Sequence, residues 1–384
     1  GWPATRIGGP AGRLARQNSR RNPGRTAATA AALMIGLALV TFVASLGEGM
    51  RKSNTAAIED QVAADFIVTS QNGFEPFQSA AGDAVEKTPG IELATSVRAS
   101  LAKAAGSDKY VTGIDPDTIL EAYSFDWAEG SDDVIGELGR RGAIVTDDFA
   151  KDKNLQLGST FTVSTPENEE LLVQVKGTYE PPPFYPLLGD VVLTKDAFDA
   201  TFDRPRNQFT FVNFPGEPTL GEEQALESSL ELFPDSDVRT RATFIADQEA
   251  DIAMFLNLLY VLLALSVIVS LFGMVNTLVL SVFERTRELG MLRAVGMTRR
   301  QTRRMIRHES VITALIGAAL GIPLGIFLAF LVTGALREFG LQFAVPVGSL
   351  VAFAVVAIVA GLLAAVLPAR RAARLNVLNA LQYE

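Results

Sequence analysis

The chain has 384 residues, 48% of them hydrophobic and 20% charged, with a formal net charge of −9 at pH 7. It has no cysteine and one histidine. That excludes a disulfide framework, leaves a zinc centre without its usual Cys and His ligands, and gives a His-based catalytic triad only His308 to draw on. The apolar residues are bunched, which describes a membrane protein with a large polar insert rather than two soluble domains.

The charges are also segregated. Residues 48–253 hold 38 Asp and Glu against 16 Lys and Arg, a net of −22, whereas all other residues hold 18 Arg and 5 Glu, a net of +13. Four runs carry no charge: 26–47, 252–283, 310–336 and 339–369. Each exceeds the roughly 20 residues needed to cross a hydrocarbon core. Arginines crowd the ends of these runs: Arg13, Arg16, Arg20, Arg21 and Arg25 before the first, eight between the second and third, and Arg370, Arg371 and Arg374 after the fourth. The positive-inside rule then predicts a multi-pass protein of the cell (inner) membrane, with both termini cytoplasmic and residues 48–253 extracytoplasmic.

Residues 1–25 form a basic lead. Leu14, Asn18 and the surrounding arginines suit a short interfacial helix on anionic lipid, and equally suit a flank that only sets topology. The chain begins at Gly1 rather than Met, as a processed product or a piece of a longer polypeptide would. Transmembrane helix 1 is expected over 26–47. Its continuation, EGMRKSNTAAIEDQVAADF, lacks proline and reads as a helical stalk. RATFIADQEADIAMFLNLL, leading into transmembrane helix 2 at 254–283, reads as a second, antiparallel stalk.

Between the stalks the 48–253 domain alternates strand and helix signals. Strands are expected at 66–69, 109–113, 142–146, 161–164, 171–179, 190–194 and 208–214. Helices are expected in TILEAYSF behind an Asp115-Pro116 start, in DDFAKDKNL and in LGEEQALESSLELF. The domain is large enough to bury a core without disulfides. PPPFYP at 181–186 reads as a stiff connector or an exposed partner contact. No internal repeat is evident.

Enzyme and cofactor signatures are missing. GGPAGRLA lacks the Lys and Ser/Thr of a phosphate loop. Asp132-Asp133 and Asp147-Asp148 lack calcium-loop spacing and read as solvated faces. The acidic domain argues against nucleic acid, and no mid-span charge supports an ion relay. No cofactor and no metal site are therefore expected.

Residues 284–309, ERTRELGMLRAVGMTRRQTRRMIRHE, are the most informative stretch. Glu284, Arg285, Arg287 and Glu288 continue span two with mixed charge at i,i+3 and i,i+4. Leu289, Met291, Leu292 and Val295 supply an apolar face, and Gly290 and Gly296 allow tight turns. Thr298 and Gln301 have capping-box spacing, which starts a new helix at Arg299. The pattern alone fits a docking helix and a lipid-packed interfacial helix equally. Transmembrane helix 3 is expected at 310–334, a short outer loop at 335–348, transmembrane helix 4 at 349–367 and a cytoplasmic tail at 368–384.

The string NTLVLSVFERTRELGMLRAVGMTRRQTRRMIRHE closely resembles the inner-loop signature of the FtsX-like (MacB-type) ABC transporter permease family. The match falls on Asn276, Thr277, Glu284, Arg285, Arg287, Glu288, Gly290, Arg293, Ala294 and Gly296, with Glu309 at the start of the third span. PARRAARLNVLNALQYE resembles the family's ending but departs at Asn376-Val377. Asn22-Pro23 and Arg25-Thr26 resemble the approach to span one, and GAIVTDDFAKDKNLQLGSTFTV resembles the MacB-type outer domain.

The resemblance implies four transmembrane α-helices with a large α+β extracytoplasmic domain between helices 1 and 2. It also implies a permease that is not itself an enzyme, with ATP hydrolysed by a separate ABC ATPase subunit. By this analogy the ATPase docks on Glu284, Arg285, Arg287, Glu288, Leu289, Gly290, Leu292, Arg293, Ala294, Gly296 and Thr298. Motion would pass to the outer domain by mechanotransmission, for export or extraction of a peptide, lipoprotein or amphipathic compound. Further implied partners are membrane lipids and a second permease half, as a homodimer or as the pseudo-dimer of a doubled ten-span chain. Regulation of a cell-wall hydrolase and sensing of a cell-wall-active peptide are the alternatives.

Overall fold

A backbone in lipid finds no water for its N–H and C=O groups, so the part of each apolar run that crosses the bilayer must be helical. The computed structural model describes residues 23–71, 73, 75–182, 187–337 and 340–375. The basic lead over 1–22, Pro183 to Pro186 of the connector, Glu338 and Phe339 of the short loop, and the tail from Asn376 with its Asn376-Val377 departure lie outside the described residues. The chain forms two units, one of residues up to Met50 together with those from Ile252 on, the other Arg51–Asp251. Helix α1 (Pro23–Gln61) is 39 residues long and does not stop where its apolar stretch ends.

The Arg51–Asp251 unit is built on one mixed sheet of eleven strands. In chain order its elements are β1 (Phe66–Ser70), β2 (Phe77–Gln78), α2 (Ser79–Val85), β3 (Leu93–Ala104), β4 (Ser107–Ile114), α3 (Ile119–Ala122), β5 (Asp126–Glu129), α4 (Asp133–Gly136), β6 (Gly142–Thr146), α5 (Asp147–Lys153), β7 (Thr160–Ser164), β8 (Glu170–Glu180), β9 (Val191–Thr194), α6 (Lys195–Thr201), β10 (Arg206–Asn213), α7 (Leu220–Ser229), β11 (Ser236–Thr240) and the start of α8 (Arg241–Glu284). The strand order is β11-β1-β10-β3-β4-β9-β6-β8-β5, with β2 on β10 and β7 on β3 and β8. The β4–β9 and β6–β8 pairs are parallel; the other ladders are antiparallel.

Local chemistry fixes several of these elements. Thr146 and Thr194 each end a strand and cap the helix that follows, accepting from the Phe149 and Ala197 amides. The two strands, AIVT and VVLT, lie side by side, so the sheet contains two like strand–Thr–helix units that no sequence repeat announces. Asn154 closes α5 in the left-handed region at φ 52°. Thr219 and Glu222 form a reciprocal capping box on α7.

The structure corrects two expected helices. TILEAYSF forms only the single turn of α3, because Tyr123 turns extended and bridges Val62. LGEEQALESSLELF stops at Ser229, where Leu230 and Phe233 fold back into the core instead. The 12-residue strand β3 reads as helix-prone Ala-Ser-Lys sequence, yet it lies between β10 and β4 with most of its side chains buried. Tertiary burial overrides its local preference.

Both stalk ends belong to this unit's core. Ile58 of α1, Val62 just past its end and Phe244 of α8 are fully buried in one cluster with Tyr123, Tyr179, Phe209 and Phe211. The Tyr123 hydroxyl donates to Gln61 Oε1, and Gln61 Nε2 donates to the Glu180 carbonyl at 3.3 Å. Burial holds both the Tyr123 and Tyr179 phenols well above their ordinary pKa, so they remain neutral donors. The Arg241 guanidinium donates to the Val62 carbonyl at 2.9 Å, and Glu249 of α8 accepts from Arg51 at 3.3 Å and Thr55 at 3.0 Å on α1. The two helices are thus tied to each other as well as to the sheet.

The other unit contains four helices long and apolar enough to cross a membrane: α1, α8, α10 (Arg299–Ala335) and the last, Val347–Ala373. Between α8 and α10 lies the short α9 (Thr286–Ala294), and the last helix divides at Ala365 into α11 (Val347–Ala364) and α12 (Val366–Ala373). Helix α1 packs on α10 through Gly317, Gly321 and Gly325, spaced four apart. A Cβ at Gly321 would lie 2.6 Å from the Met34 carbonyl oxygen, and one at Gly325 2.4 Å from that of Ala38. Small residues let membrane helices approach this closely, where packing rather than water drives association. On α1's other contact, Ser270 of α8 donates to the Ala32 carbonyl at 3.3 Å. Gly321→Leu is therefore expected to cost about 1–3 kcal/mol by overpacking and to lower the thermal midpoint in detergent. Gly334→Leu, where nothing lies within 4 Å, should leave that midpoint unchanged.

Candidate functional site

The 284–309 stretch folds as a helix–turn–helix against α12. Helix α8 ends at Glu284, and Arg285, outside helical geometry, turns the chain into α9. The mostly buried Arg285 side chain spans two carboxylates: its Nε donates to Glu288 at 3.0 Å, and its guanidinium lies 3.6 Å from Glu309 of α10. One arginine therefore fixes α9 against the start of the third span. Charge-assisted pairs in such a partly dry position are stronger than exposed ones.

Leu289 is the apolar counterpart. It is buried with Val282, Met305, Ile306, Ala369 and Ala372, joining α8, α9, α10 and α12 in one cluster. The Arg293 guanidinium donates to the Leu375 carbonyl, strapping α9 to the end of α12. Gly296 sits at φ 114°, a left-handed conformation that a side chain would strain. Thr298 and Gln301 form the expected capping box: the Thr298 amide donates to Gln301 Oε1 at 2.8 Å and the Gln301 amide to Thr298 Oγ1 at 3.3 Å. α10 starts at Arg299, as the spacing predicted.

The eleven residues read from the sequence therefore divide into two sets. Leu289 and Gly290 are buried, Arg285 and Arg293 are tied inward, and Glu288 and Leu292 are half-buried. Glu284, Arg287, Ala294, Gly296 and Thr298 are exposed. Two further apolar residues of the stretch, outside the eleven, are exposed: Met291 at 48% and Val295 at 90%. The helical period carried the signal, since Arg287, Met291 and Ala294 share one side of α9 and Leu289 and Arg293 the other. His308 is half-buried on α10, and among the described residues no group of three His, Asp or Glu is placed to hold a metal ion.

The FtsX-like permease C-terminal family matches residues 260–377, which contain this whole site, and the MacB-like periplasmic core domain family matches residues 26–220, more than half of the chain. The chain belongs to the FtsX-like, MacB-type family of ABC transporter permeases. An uncharacterized ABC transporter permease protein of Mycobacterium tuberculosis is 24% identical to this permease over 99% of the chain and 46% of its own length. A macrolide export ATP-binding/permease protein, MacB, of Photorhabdus laumondii is 26% identical over 94% of the chain and 59% of its own length. The permease thus spans about half the length of these curated relatives. Among solved structures, the extracellular domain of the noncanonic ABC-type transporter YknZ from Gram-positive bacteria aligns with 46% of the chain and 98% of its own, at 12% identity and a TM-score of 0.32.

The two faces of α9 should respond differently to truncation. Leu289→Ala is expected to cost about 2–5 kcal/mol locally, read as lost hydrogen-exchange protection over 286–294. Val295→Ala should change stability by less than about 0.5 kcal/mol. Equal loss of protection in both variants would contradict the assignment of faces.

Proposed function

We propose that this permease couples ATP hydrolysis by a separate cytoplasmic ABC ATPase to movement of its 51–251 domain, exporting or extracting a peptide, lipoprotein or amphipathic compound. The observation that carries this reading is the course of α1 and α8. Each is an unbroken helix whose apolar part is long enough to span the bilayer and whose far end is buried in the core of the outer domain, at Ile58 of α1 and Phe244 of α8. Tilting either helix at its membrane end therefore loads that core directly.

In this reading the outward side of α9, with Arg287, Met291, Ala294 and Val295, enters a groove on the ATPase. Arg285, Leu289 and Arg293 hold α9 on the membrane helices, so that force on it reaches α8, α10 and α12. The assignment places the basic loop and both termini in the cytoplasm of an inner-membrane protein and the acidic domain outside, in keeping with the distribution of arginine. The permease works with a second permease half, as a homodimer or pseudo-dimer, and in contact with anionic lipid. ATP chemistry belongs to the partner subunit.

Two experiments separate docking from transmission. The double variant Arg287→Glu/Met291→Glu should lose the ATPase in co-purification while inserting normally; retained ATPase at wild-type stoichiometry would contradict the docking face. Ala250→Pro breaks α8 within the stalk at about 3 kcal/mol. It should leave the ATPase bound and hydrolysing but abolish substrate export. Export at the wild-type rate through a broken stalk would contradict transmission through α8.

A further inference from the structure

The third and fourth spans bring their flanking arginines to one level. Arg307 stands three residues before Ser310, where one uncharged run begins, and Arg370 and Arg371 directly follow Ala369, where the other ends. Ala369 and Ala372 of α12 share a buried cluster with Met305 and Ile306 of α10, so these charges meet at one depth. Thr302, Met305 and Ile306 are buried on one side of α10. Arg303, Arg304 and Arg307 stand on its other side, and all three are exposed. On α12, Pro368, Ala369, Ala372 and Ala373 are buried, while Arg370 and Arg371 point outward with Leu367, which is 58% exposed.

Among the described residues none of these five arginines is paired with a carboxylate. Glu288 and Glu309 are engaged by Arg285, and residues 1–47 contain no Asp or Glu. Like charges gathered at one depth repel one another, so the cluster needs anions that the chain does not itself provide. The polar layer on each side of a bilayer is about 5–8 Å thick. Along α10, Arg307 lies about 4.5 Å from the start of the uncharged run, and Arg303 and Arg304 about 9–11 Å. A long side chain reaching along the helix covers that difference. Arg299 and Arg300, about 15–17 Å away, stand beyond the layer.

We infer that Arg303, Arg304 and Arg307, with Arg370 and Arg371, form a site for the phosphate of an anionic phospholipid, in the leaflet on the side of the 284–309 stretch. Charge and depth select the occupant. A guanidinium takes a phosphate through two parallel N–H bonds, and the arginines stand where lipid phosphates lie. Their neighbours face lipid tails: Leu315, three turns from Arg304, and Leu367, one turn from Arg370 and Arg371, are both exposed. The ATPase surface proposed above is the outward side of α9, a different helix. The inference rests on the contact with anionic lipid proposed there and adds which arginines make it.

The absence of cysteine from the chain allows a single fluorophore to be placed on Leu367→Cys in the full permease, reconstituted in phosphatidylcholine vesicles. Phosphatidylglycerol carrying a nitroxide near the top of its acyl chain should quench that fluorophore more than nitroxide-labelled phosphatidylcholine at equal mole fraction. Arg303→Gln/Arg304→Gln/Arg307→Gln should lower the phosphatidylglycerol association constant about five-fold or more. Arg303→Lys/Arg304→Lys/Arg307→Lys should keep it, because an ammonium also binds phosphate. Arg299→Gln/Arg300→Gln should keep it too, and an equal fall there would overturn the site in favour of a general response to net charge. A wild type without preference for phosphatidylglycerol would overturn both the site and the lipid contact proposed above. An unchanged preference in the triple Gln variant would overturn the site alone. If that variant keeps its lipid preference but no longer co-purifies with the ATPase, the arginines belong to that partner instead.

Discussion

The constraint on which this permease depends is that its stalk helices end in a hydrophobic core. Lipid forces α1 and α8 to be helical, but nothing in lipid requires them to continue beyond it. They continue because Ile58, Val62 and Phe244 complete a cluster around Tyr123, Tyr179, Phe209 and Phe211 that the sheet cannot close alone. The polar contacts around that cluster have the same effect. Gln61 is held by Tyr123 and Glu180, Arg241 reaches the Val62 carbonyl, and Glu249 joins the two stalks. For the coupling proposed above this matters, because a domain attached by flexible linkers could not be moved by work done on the membrane helices.

The 284–309 stretch shows the same economy of contacts. Residue by residue, α9 alternates between being held and being available. Arg285, Leu289 and Arg293 engage Glu309, the Met305–Ala372 cluster and the Leu375 carbonyl, while Arg287, Met291 and Val295 are left outward. An exposed apolar pair beside an arginine, on a helix held at both ends, is what the proposed docking of a partner on α9 would use.

Much of this was legible in the sequence. The uncharged runs predicted the spans because lipid reads length and charge and little else. The Thr298–Gln301 spacing predicted the start of α10 because a capping box is a local device. What could not be read depended on long-range neighbours. β3 was invisible because LATSVRASLAKA is a strand only when β10 and β4 flank it. TILEAYSF looked helical because nothing local says that Tyr123 must leave the helix to meet Gln61. The division of α9 into held and free sides needed α12, more than seventy residues away, to show which apolar residues are already covered.

The measurement that tests the central claim most directly is a distance between spin labels on a cysteine at Leu232, exposed on the 51–251 domain, and one at Val295, exposed at the end of α9, in the permease assembled with the proposed ATPase. Adding a non-hydrolysable ATP analogue is predicted to shift that distance distribution, and washing the analogue out to restore it. A distribution unmoved by nucleotide, in an assembly whose ATPase is active, would contradict the account that work on the inner helix is carried by the stalks to the outer domain.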